Sequence, residues 1–109
     1  MNLAIIGSRD FSDYDLLKRE VLNFIKDEKL DVTAIVGRGG KPGESLVFRF
    51  ADESKLEKRA FVLDFHVIEH ADALILFRVN RSRDETKIVE LARKKGFKIK
   101  VVDIKNDFL

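Results

Sequence analysis

Cysteine is absent from the 109 residues of this chain, which excludes a disulfide framework and any thiol chemistry. An excess of one charge is missing too: 21 Lys and Arg stand against 19 Asp and Glu, for a net charge of +2. Proteins that grip nucleic acid through bulk charge present a strongly basic face, so any such binding here must rest on local clusters. No uninterrupted apolar run approaches membrane-spanning length. The opening Met1-Asn2-Leu3-Ala4-Ile5-Ile6-Gly7 has neither a basic leader nor a long apolar region, so it does not read as a secretory signal. No repeat, low-complexity tract or linker is visible. Together these absences predict one soluble, cytoplasmic domain over residues 1–109, without a membrane partner.

With 45% apolar and 37% charged residues, the chain can build one core beneath a heavily charged surface. Short apolar runs alternate with amphipathic segments. Residues 3–6, Val32 to Val36, Ala73 to Val79 and Phe97 to Ile104 read as strands buried on both faces. Asp13 to Glu28 spaces Tyr14, Leu17, Val21, Phe24 and Ile25 three and four apart, an amphipathic helix capped by Ser12 or Asp13. Glu44 to about Ser54 reads as a second helix. Asp84 or Glu85 to Lys95 reads as another, with Ile88, Leu91, Ala92 and Lys95 along one side and Gly96 as its stop. The alternation predicts an α/β, Rossmann-like three-layer sandwich around a small parallel sheet of about four strands, in order 2-1-3-4. Lys55 to His70 is awkward, because two helical segments in series leave the chain at the wrong edge. Either a short strand or extended link climbs back between Lys55 and Phe61, or one long helix runs through and packs in a dimer; the link is preferred.

Five of the six glycines fall just after the first two strands. Gly7-Ser8-Arg9 follows the first, and Gly37-Arg38-Gly39-Gly40-Lys41-Pro42-Gly43 follows the second. Strand-to-helix turns of this kind aim backbone N–H groups and a positive helix end at one spot, where anions bind. Ligands of such sheets sit beyond the carboxyl ends of the strands. That edge carries Arg9, Arg38, Lys41, Arg78, Arg81 and Arg83, whose forks and ammonium suit phosphate or carboxylate. Asp10, Asp13, Glu44, Asp84 and Glu85 lie there as well and weaken the field. The second turn matches no standard fingerprint. Gly43 comes one place late for a dinucleotide fold, and Pro42 follows Gly40-Lys41 where a triphosphate loop needs Ser or Thr. His66-Val67-Ile68-Glu69-His70 matches the inverted zinc-protease spacing. These are the only two histidines and no third ligand is marked, so they read as one solvated helix face and no metal or cofactor is expected. Phe48, Phe50, Phe61, Phe65 and Phe77 read as core.

Ile5-Ile6-Gly7-Ser8-Arg9-Asp10-Phe11 resembles the opening motif of the small YspA-like proteins of the SLOG superfamily. Those are Rossmann-like domains related to cytokinin-activating phosphoribohydrolases and to DNA-processing protein A. Gly39-Gly40-Lys41-Pro42-Gly43-Glu44-Ser45 loosely matches the family's second turn. Asp64 to Phe77, above all Ala71-Asp72-Ala73-Leu74-Ile75, resembles its next helix and strand, and Ser82 to Ala92 its last turn and helix. Relative to the family, the stretch between the second and third helices is shortened by roughly one edge strand and a loop. The resemblance implies binding of a nucleotide or nucleotide-derived phosphorylated small molecule. The candidate binding set combines the matched positions Gly7, Ser8, Arg9, Gly39, Gly40, Gly43 and Ser82 with the neighbouring cations Arg38, Lys41 and Arg83. Alternatives are a nucleotide N-glycosidic hydrolase, for which Glu44 is the candidate carboxylate, a nucleic-acid binder, and a scaffold that keeps only the fold. The hydrolases' Pro-Gly-Gly-x-Gly-Thr-x-x-Glu motif is absent, which favours a binder over an enzyme. The shortened region leaves Val62, Phe65 and Ile68 with few partners in the chain, so a homo-oligomer is expected.

Overall fold

The computed structural model describes residues 1–41, 43–80 and 86–105. Five parallel strands form one sheet: β1 (Asn2–Gly7), β2 (Ala34–Arg38), β3 (Glu57–Phe61), β4 (Ala73–Val79) and β5 (Lys98–Ile104), in spatial order β3-β2-β1-β4-β5. Four helices connect them: α1 (Tyr14–Asp27), α2 (Glu44–Glu53), α3 (Asp64–Glu69) and α4 (Thr86–Lys94). Alternation along the strands sorts side chains onto two cores. Leu3, Ile5, Ile35, Ile75 and Phe77 pack under Leu17, Val21 and Phe24 of α1 and Val47 and Phe50 of α2. Ala4, Ile6, Val36, Leu74 and Leu76 pack under Val67 and Ile68 of α3 and Ile88, Val89 and Ala92 of α4. The result is the expected Rossmann-like α/β sandwich.

Two details of the sheet differ from the sequence expectation. The four anticipated strands keep their relative order, and the link preferred between Lys55 and Phe61 is a short strand, β3, which adds a fifth at the edge beside β2, so the region after α2 retains an edge strand. Glu57, Lys58, Arg59 and Ala60 are all exposed, and a strand without an apolar face carries no burial pattern from which to read it. β2 also runs later than Val32–Val36. Gly37 and Arg38 pair with Ala60 and Phe61 of β3, so the new neighbour extends β2 into what reads as a turn. Gly37 lies within the strand, where a Cβ would come 3.2 Å from the Phe48 ring.

Helix ends follow local chemistry. Asp13 caps α1, its carboxylate accepting from the Leu16 N–H at 3.1 Å. Lys29, Lys55 and Gly96 take positive φ (52°, 56° and 74°) just beyond α1, α2 and α4. The apolar residue after each (Leu30, Leu56, Phe97) donates its N–H back to Ile25, Ala51 and Ala92 at 2.9, 2.9 and 3.2 Å. All three stops are Schellman closures; only Gly96 announces its own, because lysine is not the residue expected in the left-handed region. Among the aromatics expected in the core, Phe50 and Phe77 are buried, Phe48 and Phe61 partly so, and Phe65 is 52% exposed. Ile68, expected to lack partners, is buried. No helix among the described residues is long and apolar enough to cross a membrane.

Candidate functional site

Strand order reverses between β1 and β4, whose register runs from Leu3↔Ala73 to Gly7↔Phe77. In open α/β sheets this reversal marks the ligand crevice beyond the carboxyl ends. The turn after β1 is anchored there by Ser8, only 2% exposed. Its N–H donates to the Phe77 carbonyl at 2.8 Å, and its Oγ accepts the Val79 N–H at 3.0 Å. Ser8 thus continues the β1–β4 ladder through its side chain. Phe11 closes the turn from one side, stacked on Phe77 with centroids 4.8 Å apart.

The turn after β2 folds against the turn after β1. A Cβ placed on Gly43 would stand 3.4 Å from the Gly7 carbonyl oxygen and 3.6 Å from the Gly7 Cα, so the two backbones lie close together, with room for about one carbon between them. Gly43 is also the N-cap of α2 at φ 90°, a conformation that favours glycine. Arg38 spans the junction. Its guanidinium donates to the Gly7 carbonyl at 3.2 Å and lies 3.8 Å from the Asp64 carboxylate at the start of α3. With 12% of its side chain exposed, Arg38 joins β1, β2 and α3. The crevice enclosed by Gly7, Arg38, Gly43 and Glu44 holds about 10 Å³, the lower limit for one water.

Glu44 reaches back over the turn, its carboxylate accepting the Gly40 N–H at 2.8 Å. An acid in the first turn of a helix suits the helix dipole, and this contact satisfies a loop amide. Gly40 itself is exposed at φ 74°, with nothing within 4 Å of an added Cβ. Gly39 faces elsewhere: its N–H donates to the Phe61 carbonyl at 3.0 Å, and a Cβ added to it would come 3.3 Å from the Ala60 side chain. Arg9 and Lys41 are exposed.

The structure therefore brings together Gly7, Ser8, Arg38, Gly43 and Glu44, with Arg9, Gly40 and Lys41 on the rim and Gly39 turned toward β3. Arg78 does not join them. Its guanidinium makes a forked pair with Asp103 of β5 at 2.7 and 3.1 Å. Ser82 and Arg83, with Pro42, Arg81, Asp84 and Glu85, lie outside the described residues. One participant escapes sequence reasoning: Asp64 is the acid facing Arg38. Asn80, just past β4 at φ 52°, instead gives its N–H to the Ile104 carbonyl at 2.7 Å.

The two histidines turn to aromatic neighbours. The His70 ring stacks on Phe61 at 4.3 Å, His66 lies against Phe65 at 4.1 Å, and His70 Nδ1 is 2.9 Å from the His66 carbonyl. Among the described residues, no group of three or more His, Cys, Asp or Glu is placed to hold a metal ion. No family model matches the chain, and no curated protein or solved structure matches it significantly.

Proposed function

We propose that this chain binds a nucleotide or nucleotide-derived phosphorylated ligand in the cytoplasm, at the carboxyl edge of the sheet, as the resemblance to SLOG domains implies. The observation that carries the reading is the close approach of two glycine turns at Gly7 and Gly43. Each of these glycines has an exposed cation two residues away, Arg9 and Lys41. A phosphate over this junction would take a charge-assisted contact from each cation, and Gly40 leaves room for its oxygens near the backbone. Arg38 acts as a positioning residue, holding the Gly7 carbonyl back from the anion. Binding rather than hydrolysis is favoured, because Glu44 is engaged with the Gly40 N–H instead of standing clear for a sugar.

A thermal-shift screen over nucleotides, cyclic nucleotides and ADP-ribose derivatives tests the ligand class, since a ligand that binds only the folded state raises the melting temperature. Calorimetric titration of the best hit then tests the site. Arg9→Ala removes a charged hydrogen bond worth about 1.5–3 kcal/mol, so affinity falls about ten- to a hundredfold. Arg19→Ala, on α1 and two-thirds exposed, leaves it nearly intact. Glu44→Gln tightens binding by removing a negative charge that repels the phosphate beside the junction, whereas a catalytic Glu44 would show as lost turnover. Equal affinities for the two arginine variants remove Arg9 from the site, and a screen without hits removes the proposed ligand class.

A further inference from the structure

We infer that the face formed by α3 and α4 is a self-association surface whose occupant is a second copy of this chain, related by a two-fold axis. The sheet is covered unequally. The layer of α1 and α2 runs to 14 and 10 residues, whereas α3 and α4 have 6 and 9. The thinner layer leaves apolar surface open. Val62, Leu63 and Phe65 are 66%, 51% and 52% exposed, three large apolar side chains within four consecutive positions. Single exposed apolar residues are ordinary; a cluster marks an interface.

Beside this cluster lies a hollow of about 270 Å³ lined by Phe65, Ile68 and Glu69 of α3, by Leu91 of α4 and by Lys95 just beyond it. One face therefore carries both an apolar projection and an apolar hollow. The rim carries opposite charges on opposite walls, Glu69 and Lys95, and neither joins an ion pair among the described residues. An isologous interface repeats every contact twice, residue i on j and j on i. A two-fold axis through the hollow sets Glu69 of each copy against Lys95 of the other, so the face complements itself in charge as well as in shape. A partner of one charge sign would satisfy only half of this rim.

Sedimentation velocity of the full chain from low to high micromolar concentration tests the inference. A dimer of the 12.6 kDa chain is expected. Phe65→Glu places a charge in the apolar centre and weakens association more than about tenfold, as losing a central aromatic anchor does. Leu22→Glu, an exposed position on α1, leaves association unchanged. Glu69→Lys and Lys95→Glu each set like charges face to face and weaken the dimer, and the two together restore it. Thermal melts confirm that each variant is folded. A wild-type monomer at every concentration overturns the inference. So does a dimer indifferent to Phe65→Glu, or one that the double charge reversal fails to restore.

Discussion

Ser8 illustrates how one side chain substitutes for backbone. Beyond Gly7 the chain of β1 turns away, yet Val79 still needs an acceptor in a buried setting, and the Ser8 hydroxyl supplies it. Ser8→Ala leaves that N–H unsatisfied, which costs about 1–3 kcal/mol. Urea unfolding should show a lower midpoint at unchanged slope; an unchanged midpoint would mean that water or a shifted backbone replaces the hydroxyl. Gly43 is constrained differently. Space exists for a Cβ near Gly7, but the positive φ makes any other residue strained there.

At the level of elements, the α1–α2 seam is electrostatic as well as apolar. Arg49 lies over the Tyr14 ring, 3.9 Å from its centroid, and its Nε donates to Glu53 at 2.9 Å, while Lys18 approaches the same carboxylate at 3.6 Å. The hydrogen bond from Arg49, with Tyr14 adding to it, holds the Glu53 carboxyl below its usual range. Burial pushes the Tyr14 hydroxyl up, and Glu53 pushes it further, although their geometry falls short of a hydrogen bond. A carboxyl whose folded pKa is depressed stabilises the fold above its unfolded pKa and loses that contribution as pH falls through the folded value. Stability should therefore drop in acid, and Glu53→Gln should flatten that part of the profile in urea titrations at successive pH values. Parallel profiles for the two proteins would show that the seam contributes nothing. The raised Tyr14 pKa acts at the other end: folding loses stability above the ordinary tyrosine range, as the unfolded hydroxyl ionises first.

At the scale of the whole molecule, β1 and β4 serve both cores, Ile5 and Ile75 on one face and Ile6 and Leu76 on the other. Neither helical layer can detach without exposing strands that the other layer also needs. Phe50→Ala beneath α2 and Ile88→Ala beneath α4 should therefore lower one shared transition, by about 3–5 and 2–5 kcal/mol. Against a total of about 5–15 kcal/mol for a domain, either change consumes much of the margin. Coincident melting followed by backbone and by aromatic circular dichroism is the expected result. Separate transitions for the two variants would show the layers to be independent.

Sequence alone determined the alternation of elements, the parallel sheet, the order of four strands and the two glycine turns at one edge. Those features follow from periodicity and turn chemistry, which act over a few residues. Tertiary structure decided the rest. The climb back between Lys55 and Phe61 follows from the alternation, but Glu57–Phe61 is a strand rather than an extended link because the edge of β2 offers hydrogen bonds to a segment with no apolar face. Lys29 and Lys55 stop their helices because Leu30 and Leu56 bury as the chain turns. Arg38 and Arg78 look alike as cations at strand ends, yet the register gives Arg78 to Asp103 and the fold gives Arg38 to Gly7 and Asp64. Which charge meets which depends on strands and helices far apart in the chain. Only the packed sheet brings them within hydrogen-bonding distance.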